Sequence, residues 1–401
     1  MAGFQIKIPG FVGTVLTRLR ERGHSAYIVG GSLRDLLLGG VPHDWDVTTS
    51  ARPEQTLAAF EDFTTIPTGL KHGTVTVLVD RIPIEITTYR VDGTYTDSRR
   101  PDSVTFTDRI SEDLARRDFT VNAMAYSPEG GLVDLYGGKE DLQAGILRAV
   151  GEPQRRFTED ALRILRGFRF SAQLDFTVEP ATLAAMSDTR EGLRKISAER
   201  ILAELSRLLT APAAPRAWGA LCGAKVLPLI LPRTAEIQTR PTTQTAAGLD
   251  NLPRDLAPRM AWLFFGMPQE DIRADLGALK PSTKLKEDVL RLTERTAPPT
   301  DATPPAVRRM IRHYGDLTDA VLSLWACARY DVAALQETAD QVRAEGFCQS
   351  IADLAVSGND LIAVGIRGKA LGETLKALLE HVTDRPEDNR RDILLSLARP
   401  Q

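Results

Sequence analysis

The sequence predicts an α+β chain: an N-terminal head built on a mixed β-sheet with helices, followed by an all-α neck, body and tail. Three observations predict it. A short apolar run, Ala26–Val29, is broken by Gly30-Gly31 and followed by a helical stretch and a second extended run. Residues 74–87 alternate apolar and polar, the period-two pattern of half-buried strands. Near Gly145 the pattern turns helical and stays so, punctuated at Ala211-Pro212-Ala213-Ala214-Pro215, Ala297-Pro298-Pro299 and Thr303-Pro304-Pro305. The expected boundaries are 1–144 for the head, 145–212 for the neck, 213–300 for the body and 301–401 for the tail.

The first unit carries chemistry. Gly30-Gly31 ends the strand, and Ser32 is placed to cap a helix over Leu33–Leu38. Unpaired N–H groups at a helix start attract phosphate, and glycine lets a triphosphate come close to the backbone. Arg34, in the first turn, can hold a phosphate oxygen. The run Asp44–Thr49 reads as a strand, which puts Asp44 and Asp46 on one face. Two carboxylates on one face suit Mg²⁺, which takes oxygen ligands together with substrate phosphates. Alone, a Gly-Gly pair is a turn and an Asp-x-Asp a solvated strand end. In one strand–turn–helix–strand unit they point to nucleotide chemistry.

The next elements extend the site. In Thr74–Val79, Val75, Val77 and Val79 point inward, and Ile82, Ile84 and Ile86 share one face of the partner strand. Glu85 therefore looks the other way, which predicts a triad of Asp44, Asp46 and Glu85 on one sheet face. The polar stretch Tyr89–Pro101, with Asp92, Asp97, Arg99 and Arg100, reads as a mobile loop of the kind that gates sites. Arg155–Phe170 reads as one helix, its stripe being Phe157, Ala161, Ile164, Leu165 and Phe168. Asp160 and Arg163 fall at i, i+3 on the flank of that stripe. On residues alone an ion pair is the favoured account. The alternative is a base reader: the carboxylate accepts from an exocyclic amino group and the guanidinium donates to a ring acceptor. Cytosine and adenine present that amino group; uracil and guanine do not.

A family resemblance decides among these. Gly30-Gly31-Ser32-Leu33-Arg34-Asp35 with Asp44-Trp45-Asp46 resembles motif A of the class II tRNA nucleotidyltransferases (bacterial CCA-adding enzymes) and bacterial poly(A) polymerases. Arg116–Ala123 resembles motif B, Asp134–Leu142 motif C, Glu159–Arg166 motif D and Ile196–Leu205 motif E. The second half matches more weakly, best at Val356-Ser357-Gly358-Asn359-Asp360-Leu361 with Gly365. The resemblance implies a nucleotidyltransferase head and a Mg²⁺-dependent enzyme that adds C, C and A to the tRNA 3′ end from CTP and ATP. It makes Asp160 and Arg163 an amino-acid template for the base. Arg117, Arg166 and Arg169 become candidates for triphosphate or ribose contact, and Gly30, Gly31, Ser32 and Arg34 for the nucleotide cradle. Motif E braces motif D, with Arg200 and Glu204 as i, i+4 partners. The loop at 89–101 resembles the one CCA-adding enzymes use for the final A; CC-adding relatives carry a deletion there. A-adding and poly(A) polymerase activities stay open as alternatives.

Composition is compatible with this. The net charge is −3, so a tRNA partner requires uneven charge. Arg99, Arg100, Arg109, Arg116, Arg117, Arg155, Arg156, Arg163, Arg166 and Arg169 are expected to make a continuous basic face. Cys222, Cys327 and Cys348 are too few and too scattered for a disulfide framework or zinc site. No run is apolar enough for a membrane span and Met1–Gly10 lacks a signal-peptide profile, so a cytoplasmic location is expected. An HD-type phosphohydrolase is disfavoured because His43-Asp44 is the only His-Asp pair. His72 sits in a turn expected near the active site with a structural role. An inert RNA-binding protein is disfavoured by the presence of all three carboxylates.

Overall fold

The computed structural model describes residues 6–93, 104–237 and 240–398. The chain divides into two compact units, Met1–Glu236 with Gly277–Lys280, and Ile237–Leu276 with Pro281–Gln401. The first unit begins with helix α1 (Gly10–Glu21) and is built on a sheet of seven strands. These are β1 (Ala26–Val29), β2 (Trp45–Thr49), β3 (Thr64–Gly69), β4 (Thr74–Val79), β5 (Ile82–Thr88), and, after a separate pair, β8 (Met124–Ser127) and β9 (Gly131–Asp134). Their order is β3-β4-β5-β2-β1-β8-β9. Only β2 and β5 run parallel; the other neighbours are antiparallel.

Register explains why the sheet has one dry and one polar face. Ile28 pairs with Val47, Val47 with Ile86, and Ile86 with Val75, an apolar ladder across four strands. All four are buried, each contributing roughly 1.5–3 kcal/mol of apolar burial. One residue along, on the opposite face, Asp46 pairs with Glu85 and Glu85 with Thr76. The separate pair is β6 (Arg90–Asp92) with β7 (Val104–Phe106), which forms the stem of the segment expected to be a loop. Asp97, Arg99 and Arg100 of that segment lie outside the described residues.

Helices α2 (Gly30–Leu37), α3 (Pro53–Ala59), α4 (Ile110–Ala115) and α5 (Gly138–Ala144) accompany the sheet. The start of α5 accounts for the Asp134…Gly137-Gly138 pattern. The Asp134 carboxylate accepts the N–H groups of Gly138 and Lys139, both at 2.8 Å. A Cβ on Gly138 would stand 2.2 Å from the Thr120 carbonyl oxygen, so only glycine fits.

The single helix expected over 155–170 is two helices. α6 spans Pro153–Glu159 and α7 spans Leu162–Leu174, with Asp160 extended between them at φ −138°, ψ 104°. The cause is local: the Asp160 carboxylate accepts the Leu162 N–H at 3.0 Å and starts a new helix, as short acidic side chains do. The apolar stripe survives, because Phe157, Ala161, Ile164, Leu165 and Phe168 are all buried. α8 (Pro180–Asp188), α9 (Ala198–Leu209) and α10 (Ala214–Gly223) follow.

In the second unit every described element is helical, from Thr242–Asn251 to Arg391–Ala398, and Trp262 and Trp325 lie in its interior. Its last part has a small core that includes Leu354, Val356, Leu361, Leu378, Val382 and Leu394. There Ser357 and Asp360 form a reciprocal capping box on the helix Gly358–Ala363, which explains that sequence pattern physically. No helix among the described residues is long and apolar enough to cross a membrane.

Replacing Gly138 by Ala should push the Thr120–Asn122 turn away from α5 and lower stability by about 1–3 kcal/mol. Gly219→Ala, where a Cβ meets nothing within 4 Å, should not destabilise. Thermal unfolding of both variants checks this; equal melting temperatures would refute the packing account.

Candidate active site

The polar sheet face opens onto a cavity of about 800 Å³ within the first unit. Its floor is the β1–α2 junction. Gly30 adopts φ +66°, and a Cβ there would stand 3.0 Å from Arg117 Nη1 and 3.7 Å from Asp46 Oδ2. Glycine at this position thus leaves room for a guanidinium beside the Asp46 carboxylate. Ser32 is not the helix cap the sequence suggested, because α2 already begins at Gly30. Its hydroxyl donates to the Asp44 carbonyl at 3.0 Å and accepts the Asp46 N–H at 2.8 Å. Ser32 therefore ties the cradle helix to the strand that carries both aspartates.

Asp44 and Asp46 line the cavity; Glu85 lies beside Asp46 across the β2–β5 register, exposed and off the lining. Burial first, then Glu85 and Asp44, push the Asp46 carboxyl up to about 6, against the lowering pull of Arg117. The Asp46 carboxylate is thus both desolvated and crowded by two other carboxylates.

Arginines make up much of the rest of the wall. Asp113, fully buried within α4, accepts from Arg116 Nη2 at 2.7 Å and Arg117 Nη2 at 3.2 Å. Burial works to raise the Asp113 carboxyl, but the two guanidiniums outweigh it and hold it below the ordinary range. Asp118, likewise buried, accepts from Arg166 Nε at 2.8 Å, and Arg166 outweighs burial to hold it well below that range. Arg169 Nε donates to Glu204 Oε2 at 2.5 Å. Arg34 donates to Asp35 and to Asn122 Oδ1, the latter at 2.8 Å. The Phe170 ring gathers three of these cations, with Arg34, Arg166 and Arg169 at 5.4, 5.2 and 3.9 Å from its centre.

The Asp160–Arg163 ion pair that helical spacing alone favoured does not form. The break between α6 and α7 removes the i, i+3 helical geometry it required. Arg163 is buried and donates to Glu159 Oε2 at 2.8 Å and to the Arg156 and Arg116 carbonyls, each at 3.0 Å. Asp160 Oδ2 instead accepts from Arg200 Nη2 at 3.0 Å. Arg200 and Glu204 are likewise not each other's partners; each reaches across from α9, to Asp160 and Arg169. Both Asp160 and Arg163 nevertheless line the cavity that Asp44 and Asp46 line. The continuous basic face is also corrected. Arg116, Arg117, Arg156, Arg163, Arg166 and Arg169 turn inward onto carboxylates, while Arg109 and Arg155 are exposed. Arg99 and Arg100 lie outside the described residues.

Residues 26–148 match the family model described as the poly A polymerase head domain. Residues 175–238 match the model described as a probable RNA and SrmB-binding site of polymerase A. The CCA-adding enzyme of Enterococcus faecalis is 37% identical over 96% of this chain and 95% of its own length. That of Lactobacillus helveticus is 36% identical over 95% and 94%. The chain belongs to the class II CCA-adding enzyme family. It is therefore a nucleotidyltransferase. The crystal structure of the Bacillus stearothermophilus CCA-adding enzyme in complex with CTP superimposes with a TM-score of 0.82 at 29% identity, covering 97% of this chain and 96% of that one. The Thermotoga maritima CCA-adding enzyme complexed with tRNA shares the fold, with a TM-score of 0.66 at 20% identity over 98% and 96%.

Enzymes of this kind generally use a divalent cation, and the donors here fit one. Asp44 and Asp46 offer hard oxygens, and the raised Asp46 acid marks charge that a cation would neutralise. Among the described residues no three His, Cys, Asp or Glu side chains converge to hold a metal unaided, so substrate oxygens would complete the shell. Sequence reasoning passed over Asp113, Asp118, Asn122, Phe170 and the Asp160 contact of Arg200. The i, i+3 and i, i+4 spacing of Asp113 to Arg116 and Arg117 was a usable signal. Nothing local announces Arg200, which is 40 residues from Asp160.

A carboxyl whose acid strength is weakened by folding binds its proton more tightly in the folded chain. The stability it contributes therefore falls as pH rises from about 4 to about 6, and stays lower above. Without divalent cation, Asp46→Asn should melt higher than the parent at about pH 7.5, by about 1–3 kcal/mol, and lose that advantage at about pH 4. A stability difference independent of pH would refute the electrostatic account.

Proposed function

We propose that the enzyme adds C, C and A to the 3′ end of tRNA, using CTP and ATP, in the cytoplasm. One observation carries the reading: two cation-ready carboxylates, Asp44 and Asp46, and the base-reading candidates Asp160 and Arg163 line one cavity. The relatives that match over nearly the whole chain are named CCA-adding enzymes, which supports the same activity.

The tRNA 3′-hydroxyl attacks the α-phosphorus of the nucleotide and pyrophosphate leaves. Two Mg²⁺ ions, when bound by Asp44 and Asp46, would activate the hydroxyl and neutralise charge on the departing pyrophosphate. Glu85, facing Asp46 across the strands, orders that acidic cluster. Gly30, Gly31 and Ser32 admit the triphosphate close to the start of α2. Arg34, Arg117, Arg166 and Arg169 supply donors to the phosphates or ribose. Arg117 Nε is buried with no partner among the described residues, which leaves a donor uncommitted on that wall. Asp160 accepts from the amino group of cytosine or adenine, and Arg163 donates to the adjacent ring nitrogen. We assign the head to 1–144, the neck to 145–212, and the body and tail to 213–300 and 301–401, with the tail holding tRNA.

Nucleotide incorporation into tRNA that lacks its 3′ end, with CTP, ATP and UTP offered singly and mixed, tests the reading. C, C and A should appear in order; addition of A alone to tRNA already ending in CC would identify an A-adding enzyme instead. Asp46→Ala should abolish transfer of both nucleotides, and substantial turnover would remove its metal role. Asp160→Ala should relax discrimination against UTP and GTP far more than it weakens tRNA binding. An unchanged nucleotide preference would sink the template role.

A further inference from the structure

We propose that Arg200 aims the carboxylate of Asp160 and thereby helps to determine which nucleotide is accepted. The proposal rests on the reading of Asp160 as the base selector.

Asp160 occupies an extended residue between α6 and α7, so no helix fixes the direction of its side chain. Two hydrogen bonds do so instead. Oδ1 accepts the Leu162 N–H at 3.0 Å, and Oδ2 accepts from Arg200 Nη2 at 3.0 Å. The first is local and survives any change in α9; the second comes from α9 alone. A carboxylate held at one oxygen can still swing about its Cα–Cβ bond. Held at both, it presents its remaining lone pairs in one direction.

Arg200 is itself committed to this task. It lines the cavity, and its Nη1 is buried with no partner among the described residues. A guanidinium placed for packing alone would have its buried nitrogens satisfied. Its backbone position is secured separately: four residues on, Glu204 binds Arg169 on α7. The helix is thus anchored to α7 without Arg200, whose side chain is free to serve Asp160. Arg163 is held by Glu159, Arg156 and Arg116, a set that shares no member with the Asp160 pair. The two base-reading side chains are aimed independently.

Arg200 is a positioning residue, and its loss should alter choice more than capacity. For Arg200→Gln, the ratio of kcat/KM for CTP to that for UTP, on tRNA ending before CCA, should fall by roughly tenfold or more, the scale of one charged hydrogen bond. Arg200→Lys, which keeps a donor and the charge, should recover most of the ratio. In the double variant Asp160→Asn/Arg200→Gln, the second change should add nothing to the first. A melting temperature lowered with the ratio unchanged would make Arg200 a brace and overturn the proposal. Additive losses in the double variant would overturn it too. If Asp160→Asn itself leaves the ratio unchanged, the base-selector reading fails; if it loosens the ratio and Arg200→Gln does not, only this proposal fails.

Discussion

Buried guanidiniums need carboxylates, and the active-site wall is organised by that requirement. Asp113 holds Arg116 and Arg117, Asp118 holds Arg166, Glu159 holds Arg156 and Arg163, and Glu204 holds Arg169. Such pairs gain little net stability over apolar packing, because desolvating two charges is costly. Removing one partner is different: it strands a buried charge, at about 3–5 kcal/mol. The pairs therefore act less as glue than as a constraint on where each arginine can be. They tie segments far apart in sequence, since Arg166 reaches back 48 residues to Asp118 and Arg169 forward 35 to Glu204.

Against this wall the acidic end is deliberately unbalanced. Burial first, then Glu85 and Asp44, weaken the Asp46 acid against the pull of Arg117. The arginine wall pulls carboxyls down; the sheet face pushes one up. A ligand that brings positive charge to one end and a polyanion to the other satisfies both. A cation–nucleotide complex has that distribution of charge, as the proposed function requires.

The sheet was largely legible in the sequence because its signal is local. The alternation of Val75, Val77 and Val79, and of Ile84 and Ile86, follows from a strand with one dry face, and the acidic face follows by parity. The pairing of β2 with β5 was not legible, yet that pairing is what sets Asp46 opposite Glu85. Motif D shows the opposite failure. Its apolar stripe runs unbroken through Asp160, so periodicity reports one helix where a capping side chain makes two. The partners of Asp160 and Arg163 were misassigned for the same reason: helical spacing was extrapolated across a residue that is not helical.

The arginines mislead in a further way. Counted along the chain they suggest a positive outer surface for RNA. Folded, six of them turn inward and share four internal carboxylates, Asp113, Asp118, Glu159 and Glu204. A guanidinium already paired with a buried carboxylate releases no counterions when a phosphate approaches and adds little to long-range attraction for a polyanion. Its value is directional: a guanidinium paired in this way is held in a fixed position and needs little reorganisation to meet a ligand. In the arginine clusters of motifs B and D the carboxylate pairs thus fix geometry rather than supply an outward positive surface.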